Sequence, residues 1–198
     1  MSEINLDLKF GTIANYPKLV RYELAVKLGK KCVDFIGIDL FCLLLDGYVL
    51  NTHYHDDLSC ISDNTYTLHA TAKALEGFLK KIIKTKRLKE DSKDEIGDVF
   101  GRKSSVVKKR LKNKHLISKV KYVWGFCRND VMHYSEVKDD VPGQLLLCNP
   151  RRTKTLEESL KKFYIIVDLI NDLHDDLYGK DIIKDTIILN KYIQISRE

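Results

Sequence analysis

Proline is scarce in this chain, with three in 198 residues, and glycine is held to ten. So few turn formers argue against a loop-rich or all-β protein. No window holds the roughly 18 or more uncharged apolar residues of a membrane-spanning helix. Met1 to Phe10 has no basic stretch followed by an apolar run, so no secretory signal is expected and the cytoplasm is the expected compartment. The five cysteines, Cys32, Cys42, Cys60, Cys127 and Cys148, are odd in number and never in Cys-x-x-Cys spacing. They read as reduced, mostly buried thiols and not as a disulfide framework or a metal site. Internal repeats, low-complexity tracts and linkers are also missing. The chain 1–198 therefore reads as one domain, with a core over about 16–178 and a C-terminal docking segment over 179–198.

What is present suits a globular fold. Hydrophobic residues make up 44% of the chain, enough for a substantial core. Charged residues make up 31%, and the net charge is +6. A moderate positive charge suits a polyanionic partner such as nucleic acid, and its distribution says more than its sum. Two runs, Lys80 to Lys89 and Lys103 to Lys121, hold much of the basic charge. Either run alone reads equally well as a solvated helix face.

Apolar periodicity predicts an all-α bundle of about five main helices with short additional ones. Pro17 suits the first turn of a helix running to about Lys31, and the apolar stretch Val33 to Tyr54 reads as one buried helix. Residues 58–64 read as a loop, with Asn64 or Thr65 capping the next helix. That helix places Leu68, Ala72, Leu75, Leu79, Ile82 and Ile83 on one stripe, the clearest 3.6-residue pattern in the chain. Short helical pieces are expected over 95–100 and 104–112. A long helix is expected over 116–136 with Ile117, Val120, Val123, Trp124, Cys127 and Val131 inward. Residues 137–155 read as loop. The last amphipathic helix, Leu156 to Tyr178, turns Leu160, Phe163, Ile166, Val167, Ile170 and Leu173 inward. Periodicity leaves 182–195 open between helix and strand.

Near the end of the predicted 116–136 helix stands Arg128-Asn129-Asp130-Val131-Met132-His133. It joins a permanent cation to a side chain that exchanges protons near neutral pH. Phosphodiester cleavage needs both functions, and the basic run 103–121 leads directly into the motif. On a helix Asn129 and His133 share a face, whereas Arg128 and His133 lie about 140° apart. Two copies meeting across a two-fold axis bring such groups onto one cleft. The plainer reading makes Arg128 an exposed or ion-paired helix residue and His133 a surface histidine near a helix C-terminus, where its cation suits the dipole.

This spacing resembles the Arg-x4-6-His motif of the HEPN superfamily, all-α proteins that include many metal-independent ribonucleases. The stretch Thr65 to Phe78 resembles the first core helix of the HEPN domain in RNase LS-type toxins, where a glutamate joins the Arg and His at the active site. Glu76 is the matching position, and its alternative is an i, i+4 pair with Lys80. The resemblance covers about 65–178. It implies an endoribonuclease acting as a homodimer with its site at the dimer interface, RNA as substrate, and an antitoxin protein as a further partner. One departure is Tyr134. HEPN proteins paired with nucleotidyltransferase antitoxins carry a tyrosine two or three residues after the His, and here it follows at once.

The chemistry this implies needs neither metal nor cofactor. The ribose 2′-OH is the nucleophile and His133 removes its proton. Arg128 stabilises the charge on the phosphorane. Asn129 orients the His or the phosphate, and Glu76 holds Arg128 or tunes the His. Products carry a 2′,3′-cyclic phosphate and a 5′-OH. Lys108, Lys109, Arg110 and Lys121 are the expected RNA-binding residues. The nearest thing to a metal motif, His53-x-His55-Asp56-Asp57, has a spacing suited to a strand more than to a helix end. Two other readings stay open: a non-catalytic HEPN-like RNA- or nucleotide-binding and dimerisation module, and a helical interaction protein that docks through 182–195.

Overall fold

The structure is a computed structural model that describes residues 18–52, 64–88, 96–101, 105–127 and 155–180. Among these the chain is all-α, with eight α-helices, one 3-10 turn and no strand. In chain order the helices are α1 (Lys18–Leu28), α2 (Lys30–Ile36), α3 (Ile38–Thr52), α4 (His69–Thr85), α5 (Ile96–Phe100), α6 (Ser105–Arg110), α7 (His115–Phe126) and α8 (Leu156–Tyr178), with the 3-10 turn Asn64–Leu68 before α4.

The first helices depart from the sequence expectation. Instead of two helices meeting near residue 32, three segments are separated by Gly29 and Gly37. Gly29 has φ 78° and ψ 155°, and Gly37 has φ 80° and ψ 175°, a region open essentially to glycine alone. Each glycine keeps the hydrogen-bond ladder on both sides. Gly29 N–H donates to Ala25 O and its carbonyl accepts from Val33 N–H; Gly37 repeats this with Val33 O and Phe41 N–H. The helix direction therefore changes twice while these four bonds bridge the breaks, and the apolar run from Cys32 to Leu45 can wrap the core. Periodicity could not show this, because the apolar pattern continues across both breaks.

Helix α4 follows its stripe. Leu68, Ala72, Leu75, Leu79 and Ile82 are fully buried and Ile83 nearly so. Its start differs from expectation: Asn64 and Thr65 belong to the 3-10 turn, and α4 opens at His69 with no side-chain cap. Its end is a Schellman motif. Leu88 N–H bonds Ile83 O at 3.0 Å and Arg87 N–H bonds Lys84 O at 3.4 Å, with Arg87 at φ 50° in the position usually held by glycine.

Helices α3 and α4 pair antiparallel through two glycines. A Cβ on Gly47 would stand 1.9 Å from Thr71 Oγ1, and one on Gly77 would stand 2.5 Å from Leu40 Cδ2. Both positions are glycine because the neighbouring helix occupies the space of a side chain. At the end of this pair a buried polar chain ties in α8. Asn51 Nδ2 donates to Gly47 O (2.7 Å) and Thr67 O (3.2 Å), and Thr67 Oγ1 donates to Asn51 Oδ1 (3.1 Å). Having given its proton to Asn51, Thr67 must accept from Ser159 Oγ of α8. Every polar atom named in this chain is used, so it reads as a structural joint.

Helix α8 runs through the centre and packs on α3, α4, α7 and the 3-10 turn. Phe163, Ile166, Val167, Ile170 and Leu173 are buried as its stripe predicts, with Leu160 packed at the edge. Thr155 Oγ1 accepts from Glu158 N–H at 3.1 Å as its N-cap. The short helices expected over 95–100 and 104–112 are α5 and α6. Helix α7 covers the first part of the expected 116–136 helix and buries Ile117, Val120, Val123 and Cys127, with Trp124 half-buried. Arg128 to Glu136, the loop 137–154 and the segment 182–195 lie outside the described residues.

Candidate functional site

The basic segment before the Arg-His motif is held in place by two acidic residues one turn apart on α8. The Asp176 carboxylate accepts from the backbone N–H of Lys112 at 2.7 Å and of Asn113 at 2.9 Å. Asp172 pairs with Lys119 at 2.7 Å. Asn113 Oδ1 then accepts from His115 N–H at 3.0 Å, which starts α7 with an Asx-type turn. Lys114 Nζ folds back onto the Lys108 and Leu111 carbonyls, capping the end of α6. A cation at a helix C-terminus is where the dipole favours it.

With the backbone fixed this way, the charges outside it face water. Lys108, Lys109, Arg110, Lys112 and Lys121 are exposed. The four residues expected to bind RNA therefore lie on the surface, three at the end of α6 and one on α7. Beside Lys121 stands Tyr122, 66% exposed, in a T-shaped pair with Phe126 at a centroid distance of 5.7 Å. Sequence reasoning passed over Tyr122. Its signal was its place off the inward stripe of α7, next to a lysine.

Lys121 also borders a small open cleft of about 210 Å³ between α5 and α7. Ile96, Phe100, Val120 and Trp124 give it apolar walls, and Gly97 and Gly125 leave its sides bare. A Cβ on Gly125 would meet nothing within 4 Å. Cys127 keeps helical dihedrals (φ −59°, ψ −46°) immediately before Arg128.

Of the four residues expected to do chemistry, Glu76 is described and Arg128, Asn129 and His133 lie outside the described residues. Glu76 sits at the edge of the α4 stripe with its side chain 30% exposed, paired with Lys80 Nζ at 2.5 Å. The i, i+4 pair foreseen from the sequence is formed. His53 to Asp57 also lies outside the described residues, and among those described no group of three or more His, Cys, Asp or Glu is placed to hold a metal ion. Cys32 and Cys127 are buried, Cys42 is half-buried, and none of the three is in a disulfide. Burial first, then Asp46 and Asp39, push the Cys42 thiol above its ordinary value, which suppresses the nucleophilic thiolate.

Two clusters were missed because they join residues far apart in sequence. At the C-terminal ends of α2, α4 and α8, the Tyr178 ring stacks on His174 at 5.2 Å and meets Phe35 at 4.8 Å, and Lys86 Nζ lies 3.7 Å over it. Thr85 Oγ1 bonds the Tyr178 hydroxyl at 2.6 Å, and Lys86 Nζ donates to Leu177 O at 2.8 Å. This cluster fastens the ends of α4 and α8 together. Between α1 and α3, the Tyr48 hydroxyl donates to Glu23 Oε2 at 2.6 Å, and burial, then Glu23, raise its pKa well above the usual phenol value.

Among the described residues no helix is long and apolar enough to cross a membrane. No protein-family model, curated protein or solved structure matches this chain.

Proposed function

We propose that this protein is a metal-independent endoribonuclease of HEPN type, acting as a homodimer and serving as a toxin or antiviral effector. One observation carries the reading. The Arg128 to His133 motif follows directly in the chain on α7, after a segment whose exposed side chains are Lys108, Lys109, Arg110, Lys112 and Lys121. Such a surface draws a polyanion toward whatever chemistry lies beside it.

In this reading His133 takes the 2′-OH proton and Arg128 stabilises the phosphorane. Asn129 orients them. Glu76 would have to exchange Lys80 for Arg128 or His133 to take part, a small cost because the pair is partly exposed. The active-site pairing across the dimer, the RNA substrate and an antitoxin partner belong to this proposal.

The exposed basic segment equally suits a HEPN-like module that binds RNA without cutting it, and the Glu76–Lys80 pair favours that second reading. The test is cleavage of total RNA in EDTA by wild type, Arg128→Ala and His133→Ala, each with its fold checked by circular dichroism. Cutting lost in both variants supports the nuclease. Cutting that persists in both refutes it, and binding without cutting by any of the three selects the module.

A further inference from the structure

The outer side of α7 carries more than charge. Tyr122 is the more exposed of the two large hydrophobic residues that face solvent among those described, at 66% against 38% for Tyr66. A single exposed ring is ordinary on a protein surface; what sets Tyr122 apart is what stands beside it. It is flanked in the chain by Lys121. Two turns earlier, about 10 Å along the axis, stands the cationic corner of α6 and the 111–114 connection. The cleft of Ile96, Phe100, Val120 and Trp124 opens on the other side of Lys121, and Gly125 leaves its mouth unobstructed. A ring, a cation and an apolar slot in succession match the repeat of a single-stranded nucleic acid, which offers a base face, a phosphate and the next base. A duplex hides its base faces and cannot use the ring or the slot.

We infer that the outer side of α7 binds single-stranded RNA. Tyr122 is the stacking platform for one base, Lys121 contacts the phosphate, and the cleft beside Lys121 receives the neighbouring base. The choice of RNA rests on the ribonuclease reading. The position is consistent with delivery to the motif: Tyr122 stands six residues before Arg128, a chain length that spans at most about 20 Å in any conformation.

The test measures binding apart from cutting. A short fluorescein-labelled 2′-O-methyl RNA lacks the hydroxyl nucleophile, so anisotropy titrations with it report affinity alone. Tyr122→Ala should bind roughly 5- to 150-fold more weakly, whereas Tyr122→Phe, which keeps the ring, should bind like wild type. Gly125→Leu, its fold checked by circular dichroism, should bind more weakly because the slot is narrowed. Lys121→Ala should lower the slope of log affinity against log salt by about one. The same RNA annealed to its complement should bind less tightly than the single strand and should ignore Tyr122→Ala. Equal affinity of wild type and Tyr122→Ala for the single strand overturns the inference, as does duplex binding as tight as single-strand binding. Cleavage of ordinary RNA by wild type alongside unchanged Tyr122→Ala binding would refute this surface and leave the nuclease standing. Tyr122-dependent binding by a protein that cuts nothing would do the reverse.

Discussion

Replacing Gly47 by alanine should damage the protein although alanine is the better helix former. The residue lies inside α3, where Gly→Ala normally gains roughly 0.5–1 kcal/mol. Here the new Cβ would stand 1.9 Å from Thr71 Oγ1, 3.2 Å from Thr71 Cβ and 3.4 Å from Phe163 Cε2. The first distance is more than an ångström inside an ordinary C···O contact of about 3.3 Å. Thr71 is fully buried, and turning its side chain brings the γ-methyl toward the same spot while its Cβ stays close. Overpacking of this kind costs about 1–3 kcal/mol, and the severity of the clash points to the upper end. Less the gain in helix propensity, the net loss is about 2 kcal/mol, or a fall in melting temperature of roughly 4–8 °C for a chain of this size. Thr71 Oγ1 has no hydrogen-bond partner, so Thr71→Ala alone should cost little and should remove most of the clash. Urea unfolding of wild type, both single variants and the double variant gives the coupling directly. A Gly47→Ala variant as stable as wild type, or a loss that Thr71→Ala leaves unchanged, would show that the α3–α4 contact does not exclude a side chain here.

Three further outcomes follow from other parts of the molecule. Arg87→Gly should be neutral or stabilise by up to about 1 kcal/mol, since it relieves a left-handed non-glycine residue at the end of α4; a loss of more than that in urea unfolding contradicts the Schellman assignment. Asp176→Ala should free the Lys112 and Asn113 amides and cost about 1 kcal/mol. Trypsin should then cut between Lys108 and Lys114 faster than in wild type, and unchanged cutting rules out the clamp. Burial first, then the bond to Glu23, hold the Tyr48 phenol above its ordinary value, so the stability linked to its protonated form is present in full below the ordinary phenol pKa of about 10 and is lost as pH rises beyond it. The stability advantage of wild type over Tyr48→Phe should therefore hold from neutral pH to about 9 and shrink above 10. A gap that widens with alkali speaks against a buried, Glu23-bonded Tyr48 hydroxyl.

Much of the bundle was legible because its helices are amphipathic. The stripes of α4 and α8 alone identify Leu75, Leu79, Ile82, Phe163, Val167 and Ile170 as core, since a 3.6-residue repeat of apolar side chains has one economical solution. The breaks at Gly29 and Gly37 were not legible. An apolar run reads the same through a kink, and a glycine declares its φ only when the fold needs it. The Asn51–Thr67–Ser159 chain and the Tyr178 cluster were hidden for another reason. They join residues 92 and 93 positions apart, and no local pattern encodes such a meeting. For the candidate site, Lys108, Lys109, Arg110 and Lys121, expected from the sequence to bind RNA, are exposed, and the Glu76–Lys80 pair was foreseen as the alternative role of Glu76. Tyr122 was overlooked, because a lone exposed aromatic makes no periodic signal. Asp172 and Asp176, which hold the basic segment, meet partners 53 to 64 positions away, so no local pattern marks them.

In the proposed reaction His133 moves the 2′-OH proton and no metal is needed. The most direct test is the chemistry of the product ends, after wild type and His133→Ala are incubated with RNA in EDTA. Wild type alone should cut, leaving 2′,3′-cyclic phosphate and 5′-OH ends. Fragments with 5′-phosphate ends, or the same cyclic ends from His133→Ala at the wild-type rate, would contradict the proposal.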